Sequence, residues 1–176
     1  MPRTYKLRRF LLLFFLLLVI YPSGCASLRD YIKGDPKENV FVYGYIRGDV
    51  EPPSWIQIIQ VYPKDMHFNY SCWTVNGVFI QGNLRPGSYQ LGTFGGSFES
   101  VDLGWAAPGF HLRSPGAYFL GSYRIVSKGL ISKEYSLEKT DTPDEAAVLR
   151  KAIIFARGSL WEAVLTDKLK TLEENK

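Results

Sequence analysis

The sequence predicts a mainly β fold: an antiparallel β-sandwich with a C-terminal helical segment. Three observations carry this. Short runs rich in β-branched and aromatic residues recur between residues 40 and 138. Turn signals punctuate them roughly every 8–12 residues, the spacing of a sandwich or barrel. Beyond residue 141 the apolar period changes to three or four, which marks helix.

The strands follow in order. "VFVYGYI" (Val40–Ile46) and "SWIQIIQVY" (Ser54–Tyr62) are separated by "RGDVEPP", a loop on Gly48, Pro52 and Pro53. "HFNYSCWTV" (His67–Val75) is a third strand. Asn76-Gly77 then signals a tight hairpin into "VFIQGNL" (Val78–Leu84), because both residues accept positive φ. Arg85-Pro86-Gly87-Ser88 and Ser114-Pro115-Gly116-Ala117 each fit a type II turn, with Pro presetting φ and Gly accepting φ > 0. They are expected to close two comparable hairpin corners, leading into "SYQLGTF" (Ser88–Phe94) and "AYFLGSYRIV" (Ala117–Val126). "ISKEYSLE" (Ile131–Glu138) alternates polar and apolar residues, so one of its faces is wet. Gly82, Gly92 and Gly121 inside strands mark bulges or close backbone approach.

The C-terminal segment opens with Thr142-Pro143-Asp144-Glu145, a capping box with Pro at the first helical position. Val148, Leu149, Ala152, Ile153 and Phe155 or Ala156 then share one face. Gly158 interrupts the pattern, and Ser159-Leu160-Trp161-Glu162 repeats the capping signature. Trp161, Leu165, Leu169 and Leu172 continue an apolar stripe. One kinked helix or two short ones fit equally. Helices this short are marginal alone in water, so the stripe must bury against the sandwich or against a partner protein.

The N-terminal part has a different logic. Arg3, Lys6, Arg8 and Arg9 precede an unbroken apolar run of 11 residues, Phe10–Ile20. That is short of the roughly 20 residues a spanning helix needs and suits a signal-peptide core. An uncleaved single-span anchor is the alternative. The organisation read from this is a signal peptide at 1–24, a tether at 25–38, a β domain at 39–140 and the helical segment at 141–176. The whole chain holds 21 Lys+Arg and 17 Asp+Glu. The leader accounts for four of the basic residues and no acidic ones, so the remainder is balanced at 17 against 17. The basic excess therefore belongs to export, and no nucleic acid is implied as a partner.

Pro22-Ser23-Gly24-Cys25 closes the leader. Two small residues before a cysteine resemble the lipobox of bacterial lipoproteins, with Pro22 standing where Leu is usual. The resemblance implies lipidation of Cys25, a lipid bilayer as partner and residence in the cell envelope. Ala26 stands where an Asp tends to retain such proteins in the inner membrane, so the outer membrane is expected. Several acyl chains supply the two or more signals that stable anchoring takes. With Cys25 acylated, Cys72 is alone and forms no intramolecular disulfide. It is expected as a small buried residue, a reactive thiol being the sharper alternative.

The phrase Gly77, Phe79, Leu84, Pro86, Gly87, Tyr89, Leu91 resembles the recurring motif of carboxypeptidase-regulatory-like and transthyretin-like modules. "PGAYFLGSYRI" looks like a phrase of uncharacterised bacterial lipoproteins, its spacing offset by one residue. Together the resemblance covers about 90 residues. It implies a β-sandwich, places Tyr89 and Tyr118 in the core and brings no catalytic residue.

No chemical motif stands out. His67 and His111, the two histidines, lie in no metal-binding spacing, and no cofactor is implied. Two histidines meeting at a metal across strands is a remote reading. "GTFGGSF" (Gly92–Phe98) lacks the Lys and following helix of a phosphate loop and reads as a β connection. Aromatics make up 15% of the chain, and they supply the candidates. Trp73 is expected in the core, and Trp161 is expected to dock the terminal helix. Trp55, Trp105 and Phe110, beside prolines and glycines, form a candidate binding surface where rings could stack on a sugar or insert into a partner. Covering one end of the domain is their bland role. The expected function is a non-catalytic binding or structural role toward another envelope protein. Two rivals remain. One is an accessory lipoprotein for assembly or transport that offers its terminal helix to a partner, with Leu165, Leu169 and Leu172 exposed. The other is an enzyme whose cryptic site gathers Glu99, Asp102, His111 and Arg113.

Overall fold

A computed structural model describes residues 32–48, 52–61, 69–96, 100–104, 107–128 and 134–175. It is mainly β with two C-terminal helices. The strands are β1 (Val40–Arg47), β2 (Trp55–Gln60), β3 (Asn69–Val75), β4 (Val78–Leu84) and β5 (Gly87–Gly95). They continue as β6 (Ser100–Asp102), β7 (Gly109–Leu112), β8 (Gly116–Lys128) and β9 (Glu134–Thr140). The helices are α1 (Glu145–Ala156) and α2 (Trp161–Glu174). Among the described residues no helix is long and apolar enough to cross a membrane.

The strands form one sheet in the order β6-β5-β2-β3-β4-β1-β8-β9, with β7 also pairing β5. The sheet curls into a nearly closed barrel, which corrects the expected sandwich. The chain's own reach requires the curl. β4 and β5 are separated by β2 and β3, about 14 Å across a flat sheet at roughly 4.8 Å per strand. Only Arg85 and Pro86 join them, a link that spans at most about 11 Å. The link from β7 to β8, Arg113–Pro115, is comparably short, yet the strands lie at opposite margins of the sheet order. The margins must therefore approach one another. Phe94 of β5 and Tyr135 of β9 meet edge to face, their centroids 6.4 Å apart.

Both Pro-Gly stretches thus cross between non-neighbouring strands and close no hairpin. Gly87 has no positive φ and Gly116 sits at 140°, so neither adopts the expected type II geometry. What the two share is a tyrosine. Tyr89 donates its hydroxyl to the Arg85 carbonyl at 2.6 Å, and Tyr118 donates to the Ser114 carbonyl at 2.9 Å. Each ring reaches back four residues over its own Pro-Gly and pins the corner, as a tyrosine corner does in Greek-key proteins. Tyr89 is 1% exposed, and Tyr118 is half-buried.

The expected hairpin at Asn76-Gly77 is present, with φ of 51° and 80° at the two residues, the positive pair that a type I′ turn requires. The antiparallel expectation fails at one place: β1 pairs β8 in parallel, Val40 against Gly116 through Arg47 against Arg124. Gly121 lies where that register shifts, and Gly92 lies where β2 and β5 shift. Gly82 has a different use. A Cβ there would stand 2.9 Å from the Phe41 ring and 3.0 Å from the Ile32 backbone, so only glycine lets the N-terminal segment lie on β4.

Alternation along β1 builds two cores. Val40, Val42 and Ile46 enter the barrel interior with Ile56, Ile58, Cys72, Leu91 and Tyr123. Phe41 and Tyr43 face outward and are covered by the helices, with Ile80, Val148, Leu149, Trp161 and Leu165. Ile32 belongs to this second cluster at 4% exposure, so residues 32–38, expected as free tether, already pack on the domain. Asp35 holds that segment in a turn, accepting from the backbone N–H groups of Lys37, Glu38 and Asn39.

The helices resolve into two. Asp144 is the N-cap of α1, its carboxylate accepting the Ala147 N–H at 2.9 Å. Pro143 therefore precedes the cap, where the sequence pattern had put it inside the first turn. Gly158 adopts φ 77° just past α1 and turns the chain into α2. There Ser159 Oγ accepts from the Trp161 N–H, and Glu162 accepts from the Gly158 N–H. The N-cap itself is Leu160, without a side-chain cap, so the second capping box the sequence suggested is not formed. Tyr43 donates to Glu145 at 2.6 Å and Lys168 pairs with the same oxygen at 3.3 Å, tying β1, α1 and α2 together. Leu165 is fully buried, and Leu169 and Leu172 pack partly buried on the second cluster. The terminal stripe therefore has its cover within the chain.

Burial and the nearby Tyr70 push the Tyr89 phenol from 10.0 up to about 12, against the lowering effects of its hydrogen bond at Arg85 and that residue's charge. Burial and Glu145 push Tyr43 upward as well. The folded chain keeps these protons after the unfolded chain has lost them. The Tyr89 contribution is intact below pH 10.0 and is lost as pH rises through about 12. Thermal melts are expected to show the midpoint falling across that window. Tyr89→Phe should flatten part of the fall while costing about 1 kcal/mol at neutral pH, the net worth of one hydrogen bond. An unchanged alkaline slope would count against the role given to this hydroxyl.

Candidate functional surface

Among the described residues the helices pack on the outer face of β1, β4 and β8 and leave that of β2, β3 and β5 bare. Side-chain alternation decides what this face displays. Ile56 and Ile58 point inward from β2, so Trp55 and Gln57 point outward. Cys72 points inward from β3, so Trp73 and Ser71 point outward. Trp55 and Trp73 stand directly opposite one another in the ladder, a placement that puts their Cβ atoms about 5 Å apart. Trp55 is half-buried, and Trp73 is 50% exposed. The expectation of a core Trp73 is therefore wrong. In "NYSCW" either alternate set could have faced inward, and a one-residue shift of face exchanges them.

The other candidates are dispersed. Phe110 pairs in register with Tyr89 and packs on the interior cluster, so it lines the inside of the barrel and does not join Trp55 on a surface. Trp105 lies outside the described residues, as do Cys25, Glu99 and His67. Trp161 is fully buried beneath the helices, its ring 5.3 Å from Phe41. Its indole N–H is buried without a partner among the described residues.

The residues of the cryptic catalytic cluster do not converge where they are described. Asp102 sits opposite Thr93 and His111 opposite Ser88 along β5. Five residues of strand separate those positions, about 17 Å at roughly 3.3 Å per residue. Asp102 accepts the Gly104 N–H at 2.9 Å, and His111 Nδ1 lies 2.9 Å from the Ser88 hydroxyl. Arg113 follows His111 as an exposed side chain at the second Pro-Gly corner. Among the described residues no three His, Cys, Asp or Glu side chains gather as a metal site. Cys72 is fully buried, with its thiol 3.7 Å from the buried Gln81 amide oxygen, and burial pushes its acidity weaker than an ordinary thiol's. That environment suits an inert core residue and opposes a reactive one.

No protein-family model and no curated protein matches the chain. Among solved structures it is similar to one of (S)-allantoin synthase, with a TM-score of 0.35 and 13% identity over 61% of this chain. The match spans 46% of that structure's length.

Among the described residues the bare face holds the most exposed tryptophan, and the helix layer hides the most buried one. Trp73→Ala is expected to shift folding stability by no more than about 0.5 kcal/mol, as surface changes do. Trp161→Ala should cost about 3–5 kcal/mol. Urea unfolding followed by circular dichroism measures both. Comparable losses for the two variants would refute the assignment of faces.

Proposed function

We propose that this chain is a bacterial envelope lipoprotein, anchored through an acylated Cys25 in the outer membrane, with a non-catalytic binding role toward another envelope protein. Its binding surface is the bare sheet face around Trp55 and Trp73. The barrel is read as a variant of the carboxypeptidase-regulatory-like and transthyretin-like modules. The shared phrase runs through β4, the first Pro-Gly corner and β5, and the Tyr89 hydroxyl supplies a structural reason for its tyrosine.

One observation carries the functional reading. The chain joins the barrel at Ile32, beside the start of β1 and the end of β4. Trp55 and Trp73 lie toward the other end, near the Asn76-Gly77 hairpin and the end of β5. A tether arriving at one end leaves the aromatic pair displayed at the other. Large rigid rings on an uncovered sheet are the side chains most often found at the centre of protein interfaces.

Mass spectrometry of the mature chain is expected to show Cys25 as the first residue, carrying acyl mass. Cys25→Ser should release the protein from membranes. A photo-crosslinking residue in place of Trp73 should give a discrete adduct in intact cells, weakened by Trp55→Ala. The same residue in place of Ile154, exposed on α1, should not. A chain that begins at Met1 without acyl mass removes the anchor. Indistinguishable adducts from the two sites remove the binding surface.

A further inference from the structure

We propose that the end of the barrel where residues 32–34 meet the α1–α2 corner seats directly on the bilayer, with Leu160 entering the acyl boundary and Lys33 and Arg157 taking phospholipid phosphates. This rests on the acylated Cys25 proposed above and goes further, because a tethered domain could equally hang free of the membrane.

Reach sets the first limit. Seven residue steps separate Cys25 from Ile32, and a fully extended chain covers at most about 3.6 Å per step, so roughly 25 Å in all. Ile32 is fixed to the domain by burial in the helix-covered core. The surface around Ile32 is thus held within a short distance of the lipid headgroups.

The chemistry of that surface matches them. Leu160 is 69% exposed, the most exposed of the large apolar side chains among the described residues, in the corner that joins the helices. A leucine there adds nothing to either core. Beside it lies an open cleft of about 520 Å³ between residues 32–34 and 157–160. Lys33 and Arg157, both lining it, are exposed. Lys37, Arg85 and Arg113 occupy the same end of the barrel, so basic side chains there outnumber the acidic Asp35, Glu38 and Glu162 among the described residues. The chain without its leader is electrically balanced, which makes this a local concentration of charge. An apolar tip flanked by Lys33 and Arg157 matches the layering of a bilayer surface, with phosphate above acyl chain. A second protein copy would demand no such layering.

Seating also fixes what faces away. Trp55 pairs with Gly95, eight residue steps along β5 from Gly87 at the seated end, so the tryptophan pair lies roughly 26 Å along the strand from the membrane side at about 3.3 Å per residue.

The test uses the mature acylated protein in vesicles of phosphatidylethanolamine and phosphatidylglycerol. An environment-sensitive dye is placed on Leu160→Cys or on Trp73→Cys. Buried Cys72 and acylated Cys25 leave the new thiol as the reactive one. Flotation and acyl mass report the anchor, and doxyl-labelled lipids report depth. The expected result is flotation of both, with a blue shift and doxyl quenching at 160 and neither at 73. Lys33→Glu with Arg157→Glu should reduce the quenching at 160 without loss of flotation. Flotation with an aqueous signal at 160 overturns the seating and leaves the anchor standing. A blue shift at 160 that doxyl lipids do not quench overturns it in favour of a protein contact. Absence of both acyl mass and flotation removes the anchor and the seating together.

Discussion

Strand β1 is apolar on both faces, and every other element answers to that constraint. Val40, Phe41, Val42 and Tyr43 are all fully buried in succession. An ordinary antiparallel edge wets one of its faces, but a strand like this must be covered twice. The barrel interior supplies one cover and the helix pair the other. Burial on both sides is also the usual setting for parallel pairing, and β1 takes β8 as its parallel neighbour. The helices are then obligatory parts of the fold. Phe41 packs on Trp161, and Tyr43 hydrogen-bonds to Glu145.

Covering β1 has costs elsewhere. Bringing α2 down on β4 leaves room for no side chain at position 82 and leaves the Trp161 indole N–H without a partner among the described residues. An unmade hydrogen bond in a buried site is unfavourable by about 1–3 kcal/mol. The ring's burial, worth more than that, outweighs it. Curling the sheet has its own demand, since two short links must cross between distant strands. The paired tyrosine corners answer it by converting each Pro-Gly into a fixed bend with a satisfied carbonyl.

The result is a molecule with distinct ends and sides. The N-terminal segment and the α1–α2 corner share one end, and the type I′ hairpin marks the other. Among the described residues one side of the barrel is helix-covered, and the other is bare sheet with its tryptophan pair. Such asymmetry suits a protein held at one point and read at another. Asp102 and His111, first considered as parts of a cryptic cluster, pair with opposite stretches of β5 and each makes a surface hydrogen bond.

Sequence by itself determined the strands β1 to β5 and β8, the Asn76-Gly77 hairpin, a C-terminal helical segment interrupted at Gly158, and the burial of Trp161. Each of these is written in a few adjacent residues, through turn dihedrals, capping groups or side-chain period. Tertiary structure alone decided that β1 and β8 run parallel, that the Pro-Gly stretches cross the barrel, that Trp73 faces out while Phe110 faces in, and that Ile32 packs with the helices. Those outcomes depend on which distant segments meet. In a strand that alternates mixed residues, only the partner on the far side says which face stays dry.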